Sequence, residues 1–313
     1  MSHSLRLGID LGGTTAKVGV VDERAQELHA ISVPTPMDFS QAADAMAAAV
    51  HEVAALSGCT VQDFPFAGAG VPSMINPRTG RMVFANNTGW HDAPMREALE
   101  QRLGIPVHLA NDADCALLAE AQAGAAQGAD HALMITLGTG VGSAIILNGH
   151  LFTGGDGMGM EAGHLPLVAG GYPCTCGACG CLEAYASATG LAALAREELQ
   201  QEKNSTLHAP DAELTGRTIF AAANQGDAAA IRIIDRYCAL LAQGMGGLIT
   251  VFRPQVVVVG GGISHAGAPL FDRLHALVPQ FVFAHEQIGT PDIRPAALGN
   301  EAGIVGAAFL DRA

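Results

Sequence analysis

The segment from Gly157 to Glu183 concentrates residue types that bind metals and polar ligands. Glu161 and His164 come first, followed by the cysteines Cys174, Cys176, Cys179 and Cys181. Thiolates at this spacing, with a histidine upstream, suit a tetrahedral structural zinc site, and the intervening glycines let the backbone turn around an ion. A disulfide knot is the weaker alternative, because Cys174 and Cys176 are too close for easy bridging and the total of 7 cysteines is odd.

Two sets of zinc ligands are compatible with this segment. One is His164 with Cys174, Cys176 and Cys181, and the other is all four cysteines. A clamp confined to residues 174–181 leaves the chain little slack, whereas His164 supplies a ligand from a separate segment. The spacing therefore favours the histidine set. Glu161 and Glu183 flank the loop and could present two carboxylates to a polar ligand.

Composition narrows the class of protein. The 313 residues include 49% hydrophobic and 15% charged residues, so we expect a compact globular protein, and the length suggests two domains. The net charge of −14 argues against a nucleic-acid partner and against anionic membranes. No apolar run is long enough to span a bilayer, and the first strand begins by Leu5 without space for a signal peptide. We therefore expect a cytoplasmic protein.

One supersecondary pattern occurs twice. The apolar strand Leu5 to Asp10 is followed by a Gly/Thr turn and a second strand, Ala16 to Val21, which predicts a β-hairpin. The strands Ala132 to Leu137 and Ser143 to Leu147 flank a similar turn, Gly138 to Gly142. Two such hairpins far apart in sequence suggest two related domains that face a shared ligand.

Strands and helices alternate along the rest of the chain, which indicates an α/β fold. The predicted helices are Gln41 to Leu56, Met95 to Leu103, Ala113 to Ala126, a long amphipathic helix through Ile231 to Phe252 that ends before Pro254, and a small-residue helix over Asn300 to Phe309. The further predicted strands are Phe66 to Val71, Val107 to Leu109, and Val256 to Val259, the last buried on both faces.

The Gly/Thr turns can offer backbone N–H groups and hydroxyls to phosphate oxygens. A P-loop is excluded, because neither Lys17 nor Lys203 lies in the required motif, and a Rossmann fingerprint is excluded, because a strand and not a helix follows the glycines. Asp10, at the end of a strand beside the first turn, is well placed to hold Mg²⁺ through water. Gly261 and Gly262 follow the buried strand directly.

Two polar motifs could hold a hydroxylated substrate. Asn111 and Asp112 lie where a strand ends and a helix begins, so they either cap the helix or supply a base, Asp112, for phosphoryl transfer to a hydroxyl. Asn86 and Asn87 lie in a turn-like segment, and paired amides there suit either turn formation or hydrogen bonding to a polyol.

These motifs, taken together and in this order, resemble the ROK family of bacterial sugar kinases and repressors, within the actin-like ATPase superfamily. The match covers nearly the whole chain. It consists of Asp10-Leu-Gly-Gly-Thr14, Asn111-Asp112-Ala113, Gly138-Thr-Gly-Val-Gly142, Glu161-Ala-Gly-His164, the cysteine motif that ends at Cys181-Leu-Glu183, and Val259-Gly-Gly-Gly262.

The resemblance implies a two-domain α/β fold of the actin-like ATPase (ribonuclease H-like) type with a cleft between the domains. A smaller domain would span residues 1–111 and include the C-terminal helix, about 300–313, and a larger domain with the zinc loop would span residues 112–299. The implied activity is ATP-dependent phosphorylation of a hexose, with glucose expected, in a homodimer. The implied cofactors are ATP, Mg²⁺ and structural Zn²⁺.

The resemblance also assigns roles to residues. Asp112 would be the catalytic base, and the sugar would be bound by Asn111, Asp112, Glu161, His164, Glu183 and an asparagine of the pair Asn86 and Asn87. The nucleotide and its magnesium would be bound by Asp10, Gly12, Gly13, Thr14, Thr15, Lys17, Gly138, Thr139, Gly140, Gly261 and Gly262. Zinc would be bound by His164, Cys174, Cys176 and Cys181, because Cys179 occupies a variable position of the family motif.

Three positions depart from the family pattern. Ser73 and Ser143 stand where glycine is common, and Met160 replaces a small residue just before Glu161. No catalytic group is lost, but Ser73 and Met160 lie near the expected sugar site. Kinases for an N-acylhexosamine, fructose or allose would share every motif named. A sugar-sensing repressor is less expected, because both Gly/Thr turns are intact and the first strand begins at Leu5.

Overall fold

A computed structural model describes residues 5–85, 88–209 and 213–313. The strands are β1 (Arg6–Leu11), β2 (Thr15–Val21), β3 (Glu27–Pro34), β4 (Ala67–Val71), β5 (Met74–Asn76), β6 (Arg81–Ala85), β7 (Trp90–Ala93), β8 (Val107–Asn111), β9 (Ala132–Leu137), β10 (Val141–Leu147), β11 (His150–Leu151), β12 (Val256–Gly260) and β13 (Asp292–Pro295). The α/β class predicted from the sequence is confirmed.

The helices are α1 (Phe39–Leu56), α2 (Met95–Leu103), α3 (Asp112–Ala123), α4 (Glu183–Ala186), α5 (Ala188–Gln201), α6 (Gly216–Asn224), α7 (Ala228–Phe252), α8 (Ala268–Leu277), α9 (His285–Ile288) and α10 (Ala302–Ala308). Among the described residues, no helix has the length and apolar character needed to cross a bilayer.

The chain divides into two compact units. The first comprises Met1–Asp130, Ala144–Met160 and Ala297–Ala313, and the second comprises His131–Ser143 and Glu161–Ala296, so the division passes through β10. The predicted boundary at residue 111 falls inside the first unit. The physical reason is Glu120 of α3, whose fully buried carboxylate accepts the backbone N–H groups of Ala297 at 2.8 Å and Leu298 at 2.9 Å and so ties α3 to the C-terminal segment.

The first unit is built on a five-stranded sheet with the order β3-β2-β1-β4-β8. β1 pairs antiparallel with β2, as the predicted hairpin requires, and parallel with β4, which in turn pairs parallel with β8. The carboxyl ends of β1, β4 and β8 therefore share one edge of the sheet. A separate three-stranded sheet has the order β5-β6-β7.

The predicted small-residue helix is α10, and it packs very closely on the first sheet. A Cβ atom on Gly68 of β4 would lie 1.7 Å from the carbonyl oxygen of Ala307, and a Cβ atom on Gly306 would lie 1.7 Å from the carbonyl oxygen of Cys115 in α3. Glycine at these two positions lets α10 lie against the sheet and α3 at backbone contact distance.

The second sheet has the order β11-β10-β9-β12-β13, and β9, β12 and β13 are parallel. Every residue of β12 is buried, as its unbroken run of valines predicts. The long helix α7 buries Ile234, Cys238 and Leu241 on the predicted apolar face, and it ends at Phe252, just before Pro254. β10 begins at Val141, two residues before the predicted start of this strand.

Candidate active site

Polar residues of the first unit collect at the carboxyl edge of its sheet. Asp10 of β1 is in register with Gly70 of β4, and Gly70 with Ala110 of β8. Neighbouring strands lie about 4.8 Å apart, so Asp10 lies about 10 Å from the β8–α3 junction along this edge. In parallel α/β sheets, this edge is where ligands bind.

The sequence left open whether Asn111 and Asp112 cap a helix or supply a base, and the β8–α3 junction shows which residue is the cap. The side-chain oxygen of Asn111 accepts the N–H of Ala113 at 2.8 Å, so Asn111 is the N-cap of α3. Its amide nitrogen donates to the carbonyl oxygen of Ser73 at 3.4 Å. Asp112 is the first helical residue, its side chain is exposed, and one carboxylate oxygen lies 2.9 Å from the Ala113 nitrogen. The cap is thus supplied by Asn111, and the Asp112 carboxylate can be reached from solvent.

Asp10 occupies a constrained place beside α10. A Cβ atom on Gly303 would lie 2.4 Å from the carboxyl carbon of Asp10, so any larger residue at position 303 would displace this side chain. Burial raises the pKa of Asp10, while the positive charge of Lys17, its cross-strand neighbour, lowers it. A partly buried carboxylate of this kind is suited to a hydrated divalent cation, which compensates its charge. The ammonium group of Lys17 itself lies 3.3 Å from the carbonyl oxygen of Asn300.

The first Gly/Thr turn forms the tip of the β1–β2 hairpin. The N–H of Gly12 donates to the carbonyl oxygen of Thr15 at 3.0 Å, and the hydroxyl of Thr35 donates to the carbonyl oxygen of Gly12 at 3.0 Å. Gly13 is half-buried, whereas Thr14 and Thr15 are exposed. The turn is therefore fixed at its base and open at its tip.

In the second unit, two glycine segments lie side by side at the ends of β9 and β12. The N–H of Gly138 donates to the carbonyl oxygen of Gly140 at 3.0 Å, which closes the turn around the exposed Thr139. Gly261 has φ +83°, and a Cβ atom there would lie 2.5 Å from the carbonyl oxygen of Leu137. A Cβ atom on Gly262 would meet nothing within 4 Å. Gly261 is thus required by backbone packing, and Gly262 is the glycine that borders open space.

A cluster that could hold a metal ion contains the four residues favoured by the sequence. One ligand atom from each of His164, Cys174, Cys176 and Cys181 lies within 4.8 Å of the others, and Cys179 is not a member of the group. The Nδ1 atom of His164 is 3.6 Å from the Sγ atom of Cys174, and the Sγ atoms of Cys176 and Cys181 are 3.7 Å apart.

These separations fit a tetrahedral metal ion. Zinc–sulfur bonds of about 2.3 Å and zinc–nitrogen bonds of about 2.0 Å give tetrahedral edges of roughly 3.8 Å between sulfurs and 3.5 Å between sulfur and nitrogen. A disulfide would need sulfurs about 2.05 Å apart, so the cluster holds free thiols and not a bridge. Because His164 turns Nδ1 toward the cysteines, its Nε2 atom is left for another partner.

Glu183 connects the cysteine loop to the turn that begins at Gly138. One of its carboxylate oxygens accepts the N–H of Val141 at 3.0 Å, and the other accepts the hydroxyl of Thr175 at 3.1 Å. A cavity of 440 Å³ is lined by both Glu183 and Thr175. A carboxylate has about four acceptor positions, so Glu183 can still bind a hydroxylated ligand.

Glu161 lies close to the other charged groups of this loop. Burial raises its pKa, the charge of His164 lowers it, and the charge of Glu183 raises it again. The backbone N–H of Ala162, the next residue, donates to the hydroxyl of Ser143 at 2.9 Å. The charge of Glu183 therefore acts on the Glu161 carboxyl at the other end of the loop.

The asparagines Asn86 and Asn87 lie outside the described residues. The strand that leads to them, β6, is held by Ser73, whose hydroxyl donates to the carbonyl oxygen of Phe84 at 2.7 Å. Met160, the other departure near Glu161, has φ +69°, a value that favours glycine.

Sequence reasoning missed the role of Thr175 entirely, and it singled out Ser73 and Ser143 only as departures from glycine. All three side chains make hydrogen bonds that hold site segments. For Ser73 and Ser143, the signal in the sequence was a hydroxyl at a position where the family commonly has glycine.

Comparison with known proteins identifies the family. The ROK family model matches residues 6–313. The chain belongs to the ROK family. It is 36% identical over 309 residues to a glucokinase of Thermotoga maritima, covering 97% of this chain and 96% of that protein. It is 35% identical over 317 residues to an N-acetyl-D-glucosamine kinase of Shigella boydii, covering 97% and 98%.

A solved ROK glucokinase has the same fold. The structure from Streptomyces griseus, in complex with glucose and AMPPNP, superposes with a TM-score of 0.81 at 34% identity, and the match covers 98% of each chain. The α/β architecture is therefore that of the ROK kinases, which have the actin-like ATPase fold predicted from the sequence motifs.

Proposed function

We propose that this protein is an ATP-dependent sugar kinase that phosphorylates glucose at its 6-hydroxyl. The observation that carries the proposal is its similarity, over nearly the full length of both chains, to a ROK glucokinase solved with glucose and AMPPNP. The 36% sequence identity to the Thermotoga maritima glucokinase supports the same substrate. A coupled assay of ADP formation, with phosphorus NMR to identify the product, tests the proposal directly.

Asp112 is the proposed general base. Its exposed carboxylate accepts the proton of the sugar hydroxyl while the oxygen of that hydroxyl forms a bond to the γ-phosphorus and the bond to ADP breaks. The assignment is supported by the exposure of the Asp112 carboxylate and by the capping geometry, in which Asn111 supplies a side-chain acceptor at the helix terminus.

The nucleotide is proposed to lie along the glycine turns. Asp10 would hold Mg²⁺ through water, and the segments Gly12 to Thr15 and Gly138 to Gly140 would donate backbone and hydroxyl hydrogen bonds to the phosphates. Lys17 would add positive charge near Asp10. Gly262 would let adenosine come close to the backbone, supported by the open space beside that residue. Bound Mg²⁺ neutralises charge that develops on the phosphates.

The sugar is proposed to be bound by Asn111, Asp112, Glu161, His164, Glu183 and an asparagine of the pair Asn86 and Asn87. Carboxylates make strong, charge-assisted hydrogen bonds to hydroxyls. His164 would use Nδ1 for zinc and Nε2 for the sugar, which is supported by the 3.6 Å separation of Nδ1 from the Cys174 sulfur.

The metal is proposed to be a single structural Zn²⁺ held by His164, Cys174, Cys176 and Cys181. The three-sulfur, one-nitrogen donor set is typical of structural zinc sites. The ion would hold the loop between Glu161 and Glu183 in one conformation and so orient both carboxylates. It would take no part in phosphoryl transfer.

Replacing Glu161 by alanine is expected to raise the KM for glucose at least about tenfold, with a much smaller change in the KM for ATP, because a charge-assisted hydrogen bond to the sugar is lost. Calorimetry with glucose alone gives an independent check, since binding should weaken without nucleotide. Unchanged glucose affinity in a folded, zinc-containing variant would contradict this placement of the sugar.

N-acetyl-D-glucosamine is the second candidate substrate. The specific observation in its favour is the 35% identity to the Shigella boydii kinase over 97% of this chain. The two substrates differ at carbon 2, where an amide-linked acetyl group replaces a hydroxyl. A site that fits the hydroxyl closely excludes the bulkier group, so relative rates with the two sugars distinguish the candidates.

We also propose a homodimer. It is supported by an exposed apolar surface of the second unit, formed by Val251 at the end of α7 and by Phe281 and Phe283, of which Val251 and Phe283 are 72% and 74% exposed. The N–H of Phe283 donates to the hydroxyl of Thr250 at 3.1 Å, so this surface is continuous with α7. Sedimentation should show a dimer, and Phe283→Ser should shift it toward monomer. A wild-type monomer would contradict the proposal.

A further inference from the structure

The first residues of β10 join the two ligand-binding segments of the second unit. β10 begins at Val141, directly after the turn Gly138 to Gly140 proposed for the phosphates. Its third residue, Ser143, is only 9% exposed, and the Ser143 hydroxyl accepts the N–H of Ala162 at 2.9 Å. Ala162 follows Glu161 and begins the 3-10 turn Ala162–His164. The Ser143 side chain of β10 therefore holds the turn that carries Glu161 and His164, two of the proposed sugar ligands.

Val141 adds two further connections within the same unit. Its N–H donates to the carboxylate of Glu183 at 3.0 Å. A Cβ atom on Gly163 would lie 2.1 Å from the carbonyl oxygen of Val141, so the Glu161-to-His164 turn lies directly against the backbone of β10. The strand is therefore in contact with the segments of all three proposed sugar ligands in this unit.

The family commonly has glycine at position 143, so the Ser143 hydroxyl is a departure from the family pattern. A glycine there would leave the buried N–H of Ala162 without this acceptor. Buried N–H groups without a partner are costly, and a turn that loses such a bond becomes more mobile. The hydroxyl thus supplies a constraint that a glycine at this position would not supply.

We propose that Ser143 is a positioning residue that fixes Glu161 and His164 against β10 and thereby couples sugar affinity to nucleotide affinity. The inference rests on the proposed function, because it takes Glu161 and His164 as sugar ligands and Gly138 to Gly140 as a phosphate turn. When a bound nucleotide orders the turn Gly138 to Gly140, β10 is ordered with it. The sugar-binding turn that Ser143 holds then loses less conformational freedom when glucose binds. The coupling is reciprocal.

The test is calorimetry of Ser143→Ala in the full-length, zinc-containing protein. We measure the Kd of glucose with and without AMPPNP, and the Kd of AMPPNP with and without glucose. We expect the Kd of glucose alone to rise on the order of tenfold, as for other residues that orient ligand groups. The Kd of AMPPNP alone should change by less than about threefold, and the factor by which each ligand tightens the other should fall toward one.

Ser205→Ala is the matched control. Ser205 is also 9% exposed and its hydroxyl also accepts a backbone N–H, that of Leu207, at 3.1 Å, but it contacts neither turn. This variant should lose stability without any change in glucose affinity or in coupling. Hydrogen exchange of the peptide containing Ala162 should be faster in Ser143→Ala and unchanged in Ser205→Ala.

A second variant guards against an alanine protein that does not fold. Ser143→Gly removes the same hydroxyl and should give the same loss of coupling. If glucose affinity and coupling in a folded Ser143 variant equal those of the wild type, Ser143 only fills space and the inference is wrong. Failure of the wild-type protein to bind glucose would instead contradict the proposed function, so the two failures are distinguishable.

Discussion

Asp112→Asn is expected to lower kcat by about a hundredfold to ten-thousandfold while glucose affinity stays nearly unchanged. The carboxamide keeps the shape of the side chain and part of its hydrogen bonding, but it cannot accept the proton of the sugar hydroxyl. Single-turnover measurement of phosphoryl transfer, combined with calorimetry of glucose binding, separates the chemical step from binding.

Asp114→Asn is the control for this prediction. Asp114 lies in the same first turn of α3, so its replacement removes the same negative charge from the helix N-terminus. The control should keep more than about a tenth of the wild-type rate, since the proposed mechanism assigns the proton transfer to Asp112 and not to Asp114. An Asp112→Asn protein as active as this control would show that Asp112 serves only the helix, and the proposed mechanism would be wrong.

Cys176→Ser is expected to abolish stoichiometric zinc binding and to lower the temperature of unfolding by roughly 5–10 °C, because metal binding contributes directly to the stability of the loop. Cys179→Ser is the matched control, since both thiols are exposed and lie in the same loop. Cys179→Ser should retain one zinc per chain by elemental analysis, with unchanged thermal unfolding.

Cys179→Ser, compared with His164→Ala, distinguishes the two ligand sets. The geometry places the Nδ1 atom of His164 among the sulfurs and leaves Cys179 outside the group. If zinc were lost in Cys179→Ser and retained in His164→Ala, the four-cysteine clamp would be correct. Loss of zinc in Cys176→Ser with unchanged kcat and unchanged KM for glucose would show that the metal does not orient the sugar-binding loop.

Local patterns predicted much of this structure correctly. The β1–β2 hairpin, the buried strand β12, the apolar face of α7 and the junction at Asn111 each depend on residues that are neighbours in sequence, so periodicity and turn chemistry suffice. The observed ends of some helices differ by a few residues from the predicted ends, because capping side chains determine where a helix begins. For example, α1 begins at Phe39 because the side chain of Asp38 accepts the N–H of Gln41.

Contacts between distant segments could not be predicted in the same way. The bond from Ala162 to Ser143 and the bond from Val141 to Glu183 depend on how the cysteine loop returns to β10, which no local pattern specifies. The attachment of α3 to the C-terminal segment depends on the buried carboxylate of Glu120, which local sequence shows only as one acid in a helix. The family motif assigns Gly261 to the nucleotide site, but the packing of Gly261 against Leu137 depends on the three-dimensional structure.

We propose above that this ROK protein phosphorylates glucose. The most direct measurement is kcat/KM for glucose and for N-acetyl-D-glucosamine, with ATP and Mg²⁺, in the same coupled assay. We expect turnover that requires both ATP and Mg²⁺, and a kcat/KM for glucose at least about tenfold above that for N-acetyl-D-glucosamine. A higher kcat/KM for N-acetyl-D-glucosamine, or no turnover of glucose by folded, zinc-containing protein, would contradict it.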